Sequence, residues 1–229
     1  MMTGFLASIK NIDEAKKISN AKIDIVDLKN VDDGALGFVG LDIINKAKQT
    51  LQNHKISVTL GNNMNPNNPE TVSILSKIIN QKIEYIKIGL FDKTMIDEHK
   101  LLLEKFSFTQ TKPICVLFAD KTFDLDIMRD LINMGYQGIM IDTVNKDSKS
   151  MTEILKPSEI KKFISINKKN KTLCGLSGSL KISDINNLKR YNPDFLGFRG
   201  QLCSNHTDRS EIDINLLKQV SLAINSSSA

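Results

Sequence analysis

The chain has no tryptophan, 3 cysteines, 3 histidines and 5 prolines in 229 residues, and only 6% of it is aromatic. Each shortage excludes something. Cys115, Cys174 and Cys203 stand apart with no CxxC pair and an odd count, which argues against a disulfide framework and fits a reducing compartment. Cys115 and Cys174 sit in apolar runs, where cysteine acts as a small buried hydrophobe. His54, His99 and His206 show neither HxH nor HExxH spacing, so no metal is expected. His54 and His99 are expected on polar helix faces or ends, and His206 in a loop after the last strand. No apolar run approaches the roughly 18 residues that span a bilayer. The start, MMTGFLASIK, lacks the basic segment of a signal peptide. The expectation is a cytoplasmic, soluble protein with no membrane partner. Pro/Gly/Ser-rich linkers are missing apart from the tail at Ser226–Ala229, so residues 1–229 read as a single domain.

What is present is ordinary for a globular protein: 41% hydrophobic and 25% charged residues, with a formal net charge of +5. The densest basic run, from Lys161-Lys162 to Lys171, falls on a surface helix without aromatic interleaving. That pattern describes a solvated helix face rather than a nucleic-acid surface, and the mild positive charge suits a small anion equally well.

Short β-rich runs recur at Phe5–Ile9, Ile23–Lys29, Ile56–Leu60, Tyr85–Leu90, Ile114–Ala119, Gly138–Thr143, Thr172–Leu176 and Asp194–Arg199. Helical patterns fill the gaps at Asp13–Ser19, Leu41–Gln52, Pro69–Asn80, Lys93–Lys105, Leu125–Met134, Pro157–Lys168, Ile182–Arg190 and Ile212–Ile224. Asp13 and Ser183 suit helix caps, and Pro69 and Pro157 suit first turns. Eight strands alternating with eight helices predict a (β/α)8 TIM barrel. The alternative, a doubly wound open sheet, usually carries GxGxxG after its first strand, where this chain has Lys10-Asn11-Ile12-Asp13.

The second run, IDIVDLKN, poses the functional question. Strand alternation puts Ile25, Asp27 and Lys29 on one face and the apolar pair Val26 and Leu28 on the other. In a TIM barrel the reacting groups project from the C-terminal strand ends. Lys29, Lys87, Asp142 and Arg199 all come from even-numbered strands, Lys146 follows Asp142, and Asp120 ends the fifth strand. Any one of them alone is better read as a solvated or ion-paired residue. Together they could converge in one mouth. A free lysine with a pKa of about 10.4 is almost wholly protonated at neutral pH, and a second cation or desolvation can make it nucleophilic. Lys, Lys and Asp at one mouth therefore suit Schiff-base chemistry, with the carboxylate moving protons; a structural Lys–Asp ion pair is the alternative. Ser177-Gly178-Ser179 after strand seven and Arg199-Gly200 after strand eight fit a phosphate site, because glycine lets the backbone approach an anion. Cys203 stands near the same mouth and reads as packing, and Asp208-Arg209 as either a loop ion pair or a substrate contact.

At these residues the chain resembles the (5-formylfuran-3-yl)methyl phosphate synthase family. The resemblance rests on DIVDLKNVDDGALG, YIKIGL, FAD, MIDTVNKD, GLSGSL, and FRGQLC followed by DR, in that order along nearly the whole chain. It implies a (β/α)8 enzyme that condenses two glyceraldehyde 3-phosphate molecules into a furan aldehyde phosphate, an early step toward methanofuran-type cofactors, with no cofactor of its own. Carried over by position, Lys29 matches the Schiff-base lysine, Lys87 the second lysine, and Asp142 and Lys146 the acid and lysine of DTxxKD. Ser177, Gln201, Thr207 and Asn62 depart from the family pattern, away from the lysines. Two other readings stay open: a Schiff-base aldolase of the deoxyribose-phosphate type, and a non-catalytic phosphosugar-binding barrel. Self-association through the outer helices is a further expectation.

Overall fold

In the computed structural model, which describes residues 3–62, 65–145, 149–204 and 209–226, eight parallel strands close into a barrel. The strands are β1 (Gly4–Ile9), β2 (Ile25–Leu28), β3 (Lys55–Thr59), β4 (Tyr85–Gly89), β5 (Lys112–Phe118), β6 (Gly138–Asp142), β7 (Leu173–Leu176) and β8 (Phe195–Phe198). Each pairs with its neighbours in sequence, and β1 pairs with both β2 and β8, which closes the ring. The expected barrel is therefore observed, and the open sheet is excluded.

The alternation in the strands sorts side chains into two separate cores. Val26 and Leu28 of β2, Ile86 and Ile88 of β4, and Ile139 and Ile141 of β6 pack outward against helix residues such as Ile44 and Ile160. A smaller cluster fills the barrel, including Leu6, Ile25, Tyr85, Val116, Met140 and Phe195. Inner rows that lack a side chain make room for those that have one. At Gly175 a Cβ would stand 2.2 Å from the Phe195 ring, so any larger residue would have to displace that ring.

Among the described residues the helices are α1 (Ile12–Ile18), α2 (Leu41–Thr50), α3 (Pro69–Asn80), α4 (Ile96–Lys105), α5 (Met128–Asn133), α6 (Met151–Ile154), α7 (Pro157–Lys169), α8 (Ile185–Lys189) and α9 (Ile214–Asn225). Pro69 and Pro157 open their helices as expected. Asp13 does not cap α1; it lies inside the helix, and the cap is Asn11, whose side chain accepts from the Glu14 N–H at 2.9 Å. The turn of α6 was not anticipated, because four residues are too few to show a period. Its Ser150 and Glu153 form a reciprocal capping box, and the Met151 N–H donates to the Gly178 carbonyl at 2.8 Å. None of the described helices is long and apolar enough to cross a membrane.

His99 also departs from expectation: it is fully buried on α4 rather than on a polar face. Its Nδ1 lies 2.6 Å from the Tyr136 hydroxyl. Burial lowers the His99 pKa to about 4, with the Gly89 backbone pulling weakly the other way, and burial pushes the Tyr136 hydroxyl up. Folding thus favours the neutral ring, and the unfolded chain holds the extra proton between pH 6.5 and about 4. Stability present above that window is lost as the pH falls through it. Between pH 8 and pH 5, urea denaturation should show the protein losing about 2 kcal/mol more than the variant His99→Leu/Tyr136→Phe. Equal losses in the two proteins would remove His99 from the account.

Candidate active site

The inner rows bring the charged residues to one end of the barrel. Lys87 pairs in register with Thr59 and Ile114, and Asp27 with Ser8 and Ser57. Lys29 and Lys87 are each 3% exposed, Asp142 is 6% exposed and Asp27 is fully buried. Charges in such a place persist only as partners. Lys87 Nζ lies 2.6 Å from Asp27 Oδ2, which also accepts from the Ser8 hydroxyl at 2.9 Å. Lys29 Nζ lies 3.4 Å from Asp142 Oδ2, and Asp142 Oδ1 accepts from the Thr143 N–H at 2.8 Å. Two lysine–aspartate pairs thus stand side by side, one close and one looser.

Above them opens a cavity of about 540 Å³, within the range of small-molecule sites. Lys29, Lys87 and Asp142 lie on its wall, together with residues of the loops after β7 and β8. Gly178 and Ser179 hold φ of +102° and +53°, and the N–H groups of Gly178, Ser179 and Leu180 have no acceptor among the described residues. Free N–H groups on a cavity wall are what an anion needs. A Cβ on Gly178 would come within 3.1 Å of the Thr143 backbone, so the loop lies directly on the end of β6.

Of the residues singled out from the sequence, Lys29, Lys87, Asp142, Ser177, Gly178, Ser179, Arg199 and Gly200 line this one cavity. The others are placed differently. Asp27 lies beneath it as the partner of Lys87. Asp120 is not on its wall; its carboxylate accepts from the Val144 and Asn145 N–H groups, each at 2.8 Å, and so holds the chain that leaves β6. The Ser177 hydroxyl donates inward to the Ile141 carbonyl at 2.9 Å. Lys146, His206 and Asp208 lie outside the described residues. Cys203 is buried, with its thiol donating to the Arg199 carbonyl.

Arg199 is the largest difference from the sequence reading. Its guanidinium forks onto Glu14 at 2.7 and 3.0 Å and donates to the carbonyls of Ser8, Arg209 and Ser210. All its nitrogens are engaged within the protein. Glu14, which no motif had marked, is 2% exposed and also accepts from the Lys10 N–H. The local signal for it was only an acid in the first turn of a short helix, a common feature with no trace of its distant partner.

Breaking one buried pair strands its partner. The variant Lys87→Met should be destabilised by roughly 3–5 kcal/mol in urea denaturation, and Asp27→Leu/Lys87→Met should recover most of that loss. A double variant no more stable than the single one would show that Asp27 is neutralised by something other than Lys87.

The comparisons with known proteins identify the family. A family model described as 4-HFC-P synthase matches residues 5–221. The chain is 30% identical to the (5-formylfuran-3-yl)methyl phosphate synthase of Methanosarcina barkeri (strain Fusaro), over 86% of this chain and 89% of that one. It is likewise 30% identical to the synthase of that name from Methanococcus aeolicus, over 90% of this chain and 92% of that one. Among solved structures, 3-hexulose-6-phosphate synthase from Salmonella typhimurium superposes with a TM-score of 0.65 at 11% identity, covering 97% of this chain and 98% of that one. Type I 3-dehydroquinate dehydratase from Clostridium difficile superposes at 0.62 with 14% identity, covering 96% and 91%. These last two share the fold. With the barrel and the match over nearly its full length, the chain is an enzyme and belongs to the 4-HFC-P synthase family.

Proposed function

We propose that the protein condenses two molecules of glyceraldehyde 3-phosphate into (5-formylfuran-3-yl)methyl phosphate, through an imine on Lys29, in the making of a methanofuran-type cofactor. The observation that carries the reading is the pair of buried lysines on one cavity wall, with Asp142 Oδ2 3.4 Å from Lys29 Nζ. The balance is consistent: two three-carbon phosphates, less one phosphoric acid and two waters, leave the six-carbon furan aldehyde with one phosphate.

Lys87 is held by Asp27 at 2.6 Å. Lys29, in the looser pair, is the nucleophile. Asp142 accepts the Lys29 proton, the amine adds to the aldehyde carbon, and loss of water gives the imine. The imine acidifies the adjacent carbon, and removal of its proton gives an enamine. That enamine can expel phosphate from the next carbon or attack the aldehyde of the second molecule. The Lys87 ammonium stabilises the oxyanion formed in the second event. Asp142, with Lys146 four residues on in the sequence, returns protons during the dehydrations that aromatise the ring, and addition of water to the imine carbon then frees the aldehyde and Lys29. The N–H groups of Gly178, Ser179 and Leu180 hold a phosphate, with Gly200 and Ser177 shaping the loops around it. This route draws its electron sink from the lysine and calls for no metal or organic cofactor. A cytoplasmic location is part of the same reading, and three free buried thiols fit it.

Incubation with glyceraldehyde 3-phosphate should give a near-ultraviolet chromophore with the mass of the furan aldehyde phosphate. Borohydride should trap substrate on Lys29 in the peptide map. Lys29→Ala should lose both signals. A saturated aldol product would make the enzyme an aldolase of another kind, and intact trapping in Lys29→Ala would move the imine to a different residue.

A further inference from the structure

Several polar side chains on the cavity wall are already committed. Lys29, Lys87 and Arg199 each face a buried carboxylate, Lys181 lies 4.0 Å from Glu153, and the Ser177 hydroxyl donates inward to Ile141. Gln201 is committed at one end only. It lines the cavity from the turn after β8 and is partly exposed. Its Oε1 accepts from the Ile182 N–H at 3.2 Å, and Ile182 stands two residues beyond Leu180 on the chain that follows β7. A backbone N–H is answered by the oxygen of an amide and not by its nitrogen, so this bond fixes which end of the group is which. The other end, Nε2, has two protons to give and no acceptor among the described residues.

We propose that Gln201 binds the substrate phosphate, and that its amide completes, from the β8 side, the donor set begun by the Gly178, Ser179 and Leu180 N–H groups. This rests on reading the site as one for triose phosphates. The bond to Ile182 seats the amide on the same loop that carries those donors, so its place beside them is set by a contact within the fold. The next two N–H groups along that loop are answered: that of Lys181 by Asp184 Oδ2 at 2.8 Å, and that of Ile182 by Gln201 itself. The run of free backbone donors therefore stops at Leu180, and the Gln201 amide supplies one more in place of the N–H it occupies. A tetrahedral phosphate takes donors from several directions, and a planar amide held at its oxygen presents its nitrogen at a fixed position. The subsite is one of neutral donors, and its ligand is a phosphate monoester.

The test is calorimetric binding of inorganic phosphate to the purified enzyme, alongside glyceraldehyde 3-phosphate kinetics. Gln201→Met keeps the length of the side chain and loses both polar ends, and should weaken phosphate binding roughly tenfold. KM for the phosphorylated substrate should rise in that variant, while imine trapping of unphosphorylated glyceraldehyde stays as in the parent. Gln201→Glu separates a ligand from a mere tie between the loops, because its carboxylate can still accept from Ile182 but has no proton to give. Its phosphate binding should fall at least as far as in Gln201→Met. The deficit should persist at an ionic strength of about 1 M, where a Debye length of about 3 Å removes repulsion through space. Parental affinity in Gln201→Met, parental affinity in Gln201→Glu at high salt, or no phosphate binding by the parent enzyme would each overturn the proposal. Phosphate binding that depends on Gln201 without furan formation would instead sink the proposed reaction and leave this subsite standing.

Discussion

The close contact between Lys87 and Asp27 inside the barrel is the constraint around which the site is arranged. A closed eight-stranded barrel packs its interior with side chains, and an ion there survives only if an opposite ion is set beside it by the strands themselves. The chain meets this with register: Ser8 and Asp27 stand opposite each other on β1 and β2, and Lys87 reaches across from β4. With that pair closed, the looser pair of Lys29 and Asp142 can stand one step nearer the opening, on the wall of the cavity.

The same economy governs the far rim. Arg199 comes from the end of β8, where a phosphate ligand is often placed, yet its charge is answered by Glu14 from α1. The fork ties the first strand–helix connection to the chain following the last strand, across the β8–β1 junction where the barrel closes. Gly178, Ser179 and Leu180, whose N–H groups have no acceptor among the described residues, line the cavity after β7.

Much of the architecture was legible in the strand patterns. The outward placement of Val26 and Leu28 and the inward placement of Asp27 follow from the two-residue period, and the barrel confirms both. Lys29, Lys87 and Asp142 could be grouped because alternate strands of this fold feed the same kind of inner layer. His99 misled because its neighbours on α4 are polar, and only the packing of that helix against Tyr136 decides that its ring is buried. The helical turn at Met151–Ile154 was invisible because its stability comes from a capping box and a bond to the β7 loop, not from periodicity.

The sequence by itself therefore determined the barrel, the faces of its strands and the two lysines with their acid, because strand alternation and βα arithmetic are local and repetitive. Tertiary structure alone decided which acid answers which base. Glu14 and Arg199 are 185 residues apart, and Lys87 and Asp27 are 60 apart. An ion pair depends on distances of a few ångströms between side chains, which exist only once β8 has closed onto β1 and the inner rows have come into register.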